Sequence, residues 1–163
     1  MHQTQLPDCV IALSFGFRTA ADGTARSGAV NRDLAGFVAA ETSGLPCIAQ
    51  HEIADILLAN YKITPAHVIH ASLGAYLDSR QVLIEARDYM QAHNLHAALI
   101  VVQRSHAYRT LSLCRRLGIA AELAHGLPYS WDVDSDQWWT RGPLRWWLRE
   151  AVVLTHHRIK RWI

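Results

Sequence analysis

The chain has 163 residues, of which 50% are hydrophobic and 18% charged, with a formal net charge of +2. This length suits one domain with a sizeable core, and the composition excludes a disordered tail. No apolar run reaches the roughly 20 residues of a membrane-spanning helix. Residues 1–8 lack the basic start and apolar middle of a secretory signal. We therefore expect one cytoplasmic domain spanning residues 1–163.

Five short apolar runs are typical of strands that are covered on both faces, as in a parallel sheet. They lie at 9–15, 46–49, 67–70, 97–102 and 120–123. Segments with helical spacing alternate with them, at about 29–43, 52–61, 78–93, 105–117 and 143–162, and a polar loop is expected over 18–28. The order predicts an α/β fold: a Rossmann-like, doubly wound, mainly parallel sheet of about five strands flanked by helices.

The cysteines are few and show no metal-ligand spacing. Cys9 and Cys47 lie in strand-like runs, and Cys114 lies in a helical pattern. An odd number without paired spacing makes a disulfide framework a poor interpretation. The sequence predicts three buried, unpaired thiols, in agreement with a reducing compartment.

The ligand site is predicted at the strand-to-helix junction 101–109, Val-Val-Gln-Arg-Ser-His-Ala-Tyr-Arg. In open parallel sheets such junctions present helix N-termini to ligands, and their free N–H groups favour anions. Ser105 is a candidate cap, while His106 and Arg109 share one helix face and suit a phosphate, a carboxylate or a developing oxyanion. Arg109 should also lower the pKa of His106. The alternative is that all three side chains only cap the helix or bind neighbouring loops.

The same junction carries a family resemblance. Leu-Ile-Val-Val at 99–102, the His106-x-x-Arg109 pair and Leu-x-x-Arg-Leu-Gly-Ile at 113–119 resemble the most recognisable segment of the YdcF-like family. The opening strand and glycine turn at 10–16 also resemble that family.

Two further matches lie at Arg32 and at the pair Arg149-Glu150, so the resemblance extends over most of the chain. It implies a Rossmann-like sheet and a nucleotide-like ligand, with S-adenosylmethionine as a candidate cofactor. The family includes bacterial envelope proteins and is mostly of unknown activity.

The leading hypothesis is a protein that binds a nucleotide-type or phosphorylated small molecule at the strand ends. His106 is the candidate catalytic acid or base, Arg109 would hold an anionic group, and Gly16 would permit close backbone approach. The candidate ligand-binding residues are Ser14, Gly16, Arg32, Gln50, Ser79, Gln103, Ser105 and Arg109. The sequence leaves the reaction, and whether the protein is an enzyme, open.

Metal and nucleic-acid sites are not predicted. His67 and His70 are both in one strand candidate and point to opposite faces, whereas His51 and His70 could meet but lack a third ligand. The acids at 132, 134 and 136 lack the glycine and closing glutamate of a calcium loop. Basic residues are concentrated at the C-terminus without a recognition motif, which argues against nucleic-acid binding.

The C-terminal segment, 138–163, is basic and rich in tryptophan, with six basic residues against one acid, Glu150. A helical stripe in it is predicted to pack on the domain and close the sheet: Leu144, Trp147, Leu148, Ala151, Val152, Thr155, Ile159 and Trp162. The less favoured alternative is a peripheral membrane helix, because Trp and Arg together suit an interface. In that case the protein would be a non-catalytic interaction or envelope-maintenance factor that docks through this segment.

Overall fold

A computed structural model describes residues 6–23, 25–42, 44–70 and 78–163. The strands of this part of the chain are β1 (Cys9–Ala12), β2 (Phe17–Thr19), β3 (Ala25–Ser27), β4 (Cys47–Gln50), β5 (His67–Ile69), β6 (Ala97–Val101) and β7 (Ala120–Leu123). The α-helices are α1 (Ala29–Glu41), α2 (His51–Ile56), α3 (Ser79–Ala92), α4 (Ala107–Leu117) and α5 (Pro143–Ile159). A π-helical turn, Leu57–Tyr61, continues α2.

Five strands form one parallel sheet in the order β5-β4-β1-β6-β7, with helices on its faces. The central strand β1 is fully buried along its length, which explains why its sequence is continuously apolar instead of alternating. The predicted Rossmann-like α/β fold is therefore confirmed.

Local sequence signals set the helix ends. Asp78 caps α3: its carboxylate accepts the Gln81 backbone N–H at 2.8 Å, and Gln81 accepts the Asp78 N–H in return. Gly118 ends α4 with φ +73°, a left-handed conformation that glycine adopts without steric cost. Both ends were predicted from the sequence to within a residue.

The segment predicted as a polar loop over 18–28 contains a small antiparallel hairpin, so that prediction was wrong. Phe17 pairs with Ser27, and Thr19 pairs with Ala25. The hairpin is held by a distant segment, because the Asp136 backbone N–H donates to the Phe17 carbonyl at 2.9 Å. Backbone pairing of this kind leaves no periodicity in so short a sequence.

The three cysteines are buried and free of disulfides, as predicted. Burial raises the pKa of each of Cys9, Cys47 and Cys114 to about 12. At neutral pH they therefore behave as small apolar side chains of the core.

Helix α5 packs on the domain, but not through the predicted stripe. Its buried side chains are Trp146, Glu150 and His157, which repeat at helical spacing on one face. The α5 members of the stripe that was predicted to close the sheet are exposed on the opposite face, as with Leu144 at 74%. Trp162, the last member of the predicted stripe, lies beyond α5 and packs partly buried against the core. Among the described residues no helix has the length and apolarity needed to cross a membrane.

Candidate functional site

The strand order places one natural crevice in the sheet. The chain winds outward from β1 through β4 to β5, then crosses back to form β6 and β7 on the other side of β1. The direction of winding thus reverses between β1 and β6, and ligands of open α/β sheets bind outside the carboxyl ends of the strands at such a point. Residues 13–16 follow β1 there, and residues 102–106 follow β6.

The turn after β6 is built by Gln103. Its side-chain oxygen accepts the Ser105 backbone N–H at 2.6 Å, and its amide nitrogen donates to the Ser130 carbonyl at 3.2 Å. A 3₁₀ turn, Arg104–His106, follows and leads into α4. The prediction of Ser105 as the helix cap was wrong, since α4 begins at Ala107 and Gln103 performs the capping of the turn. The oxygen and the nitrogen of the Gln103 side-chain amide are therefore both hydrogen-bonded within the protein.

His106 lies at the centre of a buried polar group. Its Nε2 atom is 2.9 Å from Ser79 Oγ and 2.8 Å from Arg109 Nη2. A guanidinium only donates, so Nε2 accepts and the imidazole proton belongs on Nδ1. Burial holds the pKa of His106 well below its ordinary value, and the charge of Arg109 lowers it further. The predicted effect of Arg109 is confirmed in direction, with burial as the larger cause.

Arg109 already has an anionic partner. Its Nε atom is 3.2 Å from Glu150 Oε1, and both side chains are at least 95% buried. Burial raises the pKa of Glu150, and the charges of Arg109 and Arg149 offset part of that increase. A carboxylate from α5 therefore stands where the sequence predicted an anionic ligand group.

Aromatic rings cover this pair. Trp146 of α5 is 2% exposed, with its ring centroid 4.8 Å from that of Phe15 and 5.5 Å from that of His106. The Arg109 guanidinium lies 5.6 Å from the same indole ring, within cation–π range. The cavity left between Ser14, Gly16, His106 and α5 measures about 30 Å³. That space is enough for about one or two water molecules.

A larger opening lies directly outside the junction. It measures about 380 Å³ and is lined by Arg104, Ser105, Tyr108, Tyr129 and Trp147. We call these five residues the aromatic cleft. Its volume falls within the range of about 300–1,000 Å³ that is usual for small-molecule sites. Its three aromatic side chains are more than half exposed.

The remaining predicted site residues lie in three places. Ser14 and Gln50 bind each other, since the Ser14 backbone N–H donates to Gln50 Oε1 at 2.8 Å. Ser79, the first residue of α3, joins the buried group through His106. Arg32 is exposed on the surface of α1.

Gly16 does permit a close approach, but the protein itself makes it. Gly16 has φ +77°, and a Cβ atom there would lie 2.7 Å from both Ser135 Oγ and Thr140 Oγ1. The late loop between β7 and α5 thus occupies the space beside Gly16. Glycine is required by both the backbone conformation and this contact.

Sequence reasoning missed the two largest contributions from outside the junction. Tyr129 follows β7 in a loop without a motif, and Trp147 was assigned to the core-facing stripe. No sequence pattern marks either residue, because the sequence does not distinguish an exposed aromatic that lines a cleft from any other aromatic. Arg104 and Tyr108, by contrast, lie within the predicted junction itself.

The histidines expected to approach each other do so, since the rings of His51 and His70 stack with centroids 5.8 Å apart. Within the described ranges, no group of three or more His, Cys, Asp or Glu side chains is arranged to hold a metal ion. His67 instead lies 2.9 Å from Glu85. Asp132 pairs with Arg18.

Ser79 and His106 are arranged like a serine nucleophile and its general base. The surrounding charges, however, disfavour proton transfer from the serine to the histidine. Proton transfer from the serine would place a positive imidazolium beside the Arg109 guanidinium in a buried site. The lowered pKa of His106 reflects that penalty. In this arrangement His106 joins α4 to α3, Arg109 joins α4 to α5, and the aromatic cleft is an open space beside the junction.

Comparison of the chain with protein-family models, with curated proteins and with solved structures found no match. The resemblance to the YdcF-like family therefore stays a prediction from the sequence.

Proposed function

We propose that this protein binds a nucleotide-type or phosphorylated small molecule in the aromatic cleft, at the carboxyl end of β6. The observation that carries the proposal is the place of the cleft: an opening of about 380 Å³ lies at the carboxyl end of β6, on the β7 side of the point where the winding of the sheet reverses. The resemblance to the YdcF-like family supports the same class of ligand.

The side chains of the cleft match the parts of a nucleotide. Tyr108, Tyr129 and Trp147 offer flat rings for stacking a base, and Arg104 offers a guanidinium for a phosphate. The Ser105 hydroxyl is buried and without a hydrogen-bond partner among the described residues, so a ligand group could satisfy it. S-adenosylmethionine shares the adenosine group and is the candidate cofactor of this class.

The buried group formed by His106, Arg109 and Glu150 lies beneath the cleft and fixes its walls. Arg109 and His106 come from the same helix as Tyr108, whereas Glu150 comes from the same helix as Trp147. Their ion pair joins α4 to α5 and so sets the distance between the two aromatic walls. The proposal concerns binding and leaves catalysis by His106 as a sequence prediction.

Isothermal titration calorimetry with AMP, adenosine, S-adenosylmethionine and inorganic phosphate tests the proposal. We expect Tyr108→Ala to weaken binding of all three adenosine compounds by at least about tenfold, since one aromatic–base contact contributes about 1–3 kcal/mol. Arg104→Ala should weaken AMP but leave adenosine unchanged. Tyr61→Ala, which alters a partly exposed tyrosine of the π-helical turn, is the matched control.

Two results would contradict the proposal. One is the absence of measurable heat with every compound of the panel. The other is binding of equal strength by wild type, Tyr108→Ala and Arg104→Ala, which would place the ligand elsewhere.

A cytoplasmic location is part of the same proposal. It is supported by the three buried cysteines, none of which forms a disulfide. Cell fractionation with an antibody against the protein would test it, and recovery from an oxidising compartment would contradict it.

A further inference from the structure

Helix α5 has two faces of different character. The inner face, with Trp146, Glu150 and His157, packs on the buried group described above. The outer face carries a row of exposed apolar side chains at spacings of three, four and seven residues, which keep them on one side of the helix. We call this row the outer stripe: Leu144 (74% exposed), Trp147 (53%), Leu148 (60%), Val152 (70%) and Ile159 (75%).

Single exposed apolar residues are normal on protein surfaces, but a row along one helix is not. Three of the five members are at least 70% exposed, so little of the described protein covers them. Val133, which is 70% exposed, lies beside the first turn of α5 and extends the apolar surface past Leu144. The outer stripe therefore has the features of a surface that binds an apolar partner.

The exposed charges of the C-terminal segment, 138–163, are of one sign. Outside this segment, the exposed acid Asp134 follows Val133 and contacts Arg18. Glu150 is the only acid from residue 138 onward, and it is buried on the inner face against Arg109. Five basic residues lie before, along and after α5: Arg141, Arg145, Arg158, Lys160 and Arg161. Arg149 instead lies on the inner side, with its guanidinium 4.3 Å from the Trp139 ring. An apolar row with a positive border complements an anionic surface with an apolar interior.

A basic hollow lies at the N-terminal end of the same helix. It measures about 510 Å³, and its lining includes Arg141, Arg145, Leu144 and Val133. The Arg141 side chain is oriented by donating to the Ser135 carbonyl. Two guanidinium groups beside two exposed apolar residues fit a phosphate head group whose acyl chains lie next to it.

We propose that the outer face of α5 docks this protein onto an anionic lipid bilayer. The outer stripe enters the boundary between head groups and acyl chains, and the flanking arginines contact lipid phosphates. A second copy of the chain is a poorer occupant, because pairing two α5 helices would bring the basic borders together without an exposed acid of this segment between them.

Docking and ligand binding are separate proposals that share one residue, Trp147. In the docked protein the aromatic cleft opens at the edge of the membrane contact, next to Trp147. For this reason Trp147 is not altered in the test.

Flotation of the full chain with vesicles tests the proposal. We expect binding to phosphatidylcholine vesicles that contain about one third phosphatidylglycerol, and none to phosphatidylcholine alone. Leu148→Ser/Val152→Ser should lower partitioning at least about tenfold, because two exposed apolar side chains are lost from the contact. Leu58→Ser, which alters a 55% exposed leucine of the π-helical turn, should bind like wild type.

The charge contribution is tested separately. Arg145→Gln/Arg158→Gln should reduce binding to the anionic vesicles about 30-fold, since each juxtamembrane charge contributes about 1 kcal/mol. Arg87→Gln/Arg115→Gln removes the same net charge from α3 and α4 and should have a much smaller effect.

Three outcomes would overturn the docking proposal. They are no flotation of the wild type with anionic vesicles, equal flotation of the wild type and the Leu148→Ser/Val152→Ser variant, and equal loss in both arginine pairs. If light scattering instead shows a dimer that Leu148→Ser/Val152→Ser dissociates, and flotation is absent, the outer stripe belongs to a contact between two copies.

Discussion

Arg109 and Glu150 form an ion pair that neither partner could leave without cost. Both are at least 95% buried, so removing one leaves an uncompensated charge in the interior. Replacing both with apolar residues removes the charge and its desolvation penalty together. The pair therefore contributes less to net stability than the loss of either member would suggest.

We expect Glu150→Ala to lower the free energy of unfolding by about 3–5 kcal/mol, because it strands the Arg109 guanidinium. The double variant Arg109→Met/Glu150→Leu should lose clearly less than the sum of the single losses. Urea denaturation measures both. Glu122→Ala, which removes an exposed acid from β7, is the control, and a loss at Glu150 no larger than at Glu122 would contradict the pairing.

The sequence predicted that Arg109 binds an anionic group, but it did not identify Glu150 as that group. His106 and Arg109 were expected to bind an anion or neighbouring parts of the protein, and the described contacts fit the second interpretation for these two side chains. Glu150 is 41 positions from Arg109, and its own surroundings are apolar and basic. Only the packing of α5 on α4 brings them together.

At the scale of elements, the N-terminus of α1 is capped by Asp132, a residue from the late loop. The first helical residue, Ala29, donates its backbone N–H to Asp132 Oδ2 at 3.1 Å, because the capping position is occupied by Gly28, which has no side chain. Asp132 also pairs with Arg18 of β2. One carboxylate thus joins the hairpin, α1 and the late loop.

Asp132→Ala should lower the free energy of unfolding by about 2 kcal/mol, the sum of a lost helix cap and a partly exposed ion pair. Burial by itself raises the pKa of Asp132, but hydrogen bonds from Arg18 and from the Ala29 backbone hold it below its ordinary value. The folded pKa is therefore below the unfolded value of about 3.9. The stabilisation is complete above the unfolded value and is lost as the pH falls through the lower, folded pKa.

The difference between wild type and Asp132→Ala should accordingly shrink when denaturation is measured below pH 4 rather than at pH 7. Asp134→Ala is the matched control, because Asp134 is 68% exposed and contacts the same arginine. An equal loss for both variants, or a difference that grows in acid, would show that Asp132 does not act as the cap.

Some elements were predicted correctly from the sequence and others were not, and the difference has physical reasons. The inner strands β1, β4 and β6 were found because burial on both faces requires an apolar run. The hairpin was missed because Phe17-Arg18-Thr19 is too short and too polar to show a pattern. The orientation of α5 was wrong because helical spacing tells which residues share a face, and both faces of α5 carry tryptophan.

At the scale of the whole molecule, one indole ring holds α5 against the sheet, together with the buried Arg109–Glu150 pair. Trp146 contacts rings that follow β1 and β6, the two strands on either side of the point where the winding reverses. The aromatic cleft, the buried ion pair and the outer stripe all depend on α5 keeping this position. Loosening Trp146 should therefore release α5 without dissolving the parallel sheet.

We expect Trp146→Ala to lower the free energy of unfolding by about 3–5 kcal/mol, because it removes a large buried ring and enlarges the cavity beside His106. Trp138→Ala is the matched control: Trp138 is 49% exposed, so the loss of stability should be much smaller.

Hydrogen exchange distinguishes local release of α5 from global unfolding. Amides of α5 should exchange far faster in Trp146→Ala, whereas those of β1 should continue to exchange only through global unfolding. Uniform acceleration in α5 and β1 would instead mean that α5 and the sheet unfold as one cooperative unit.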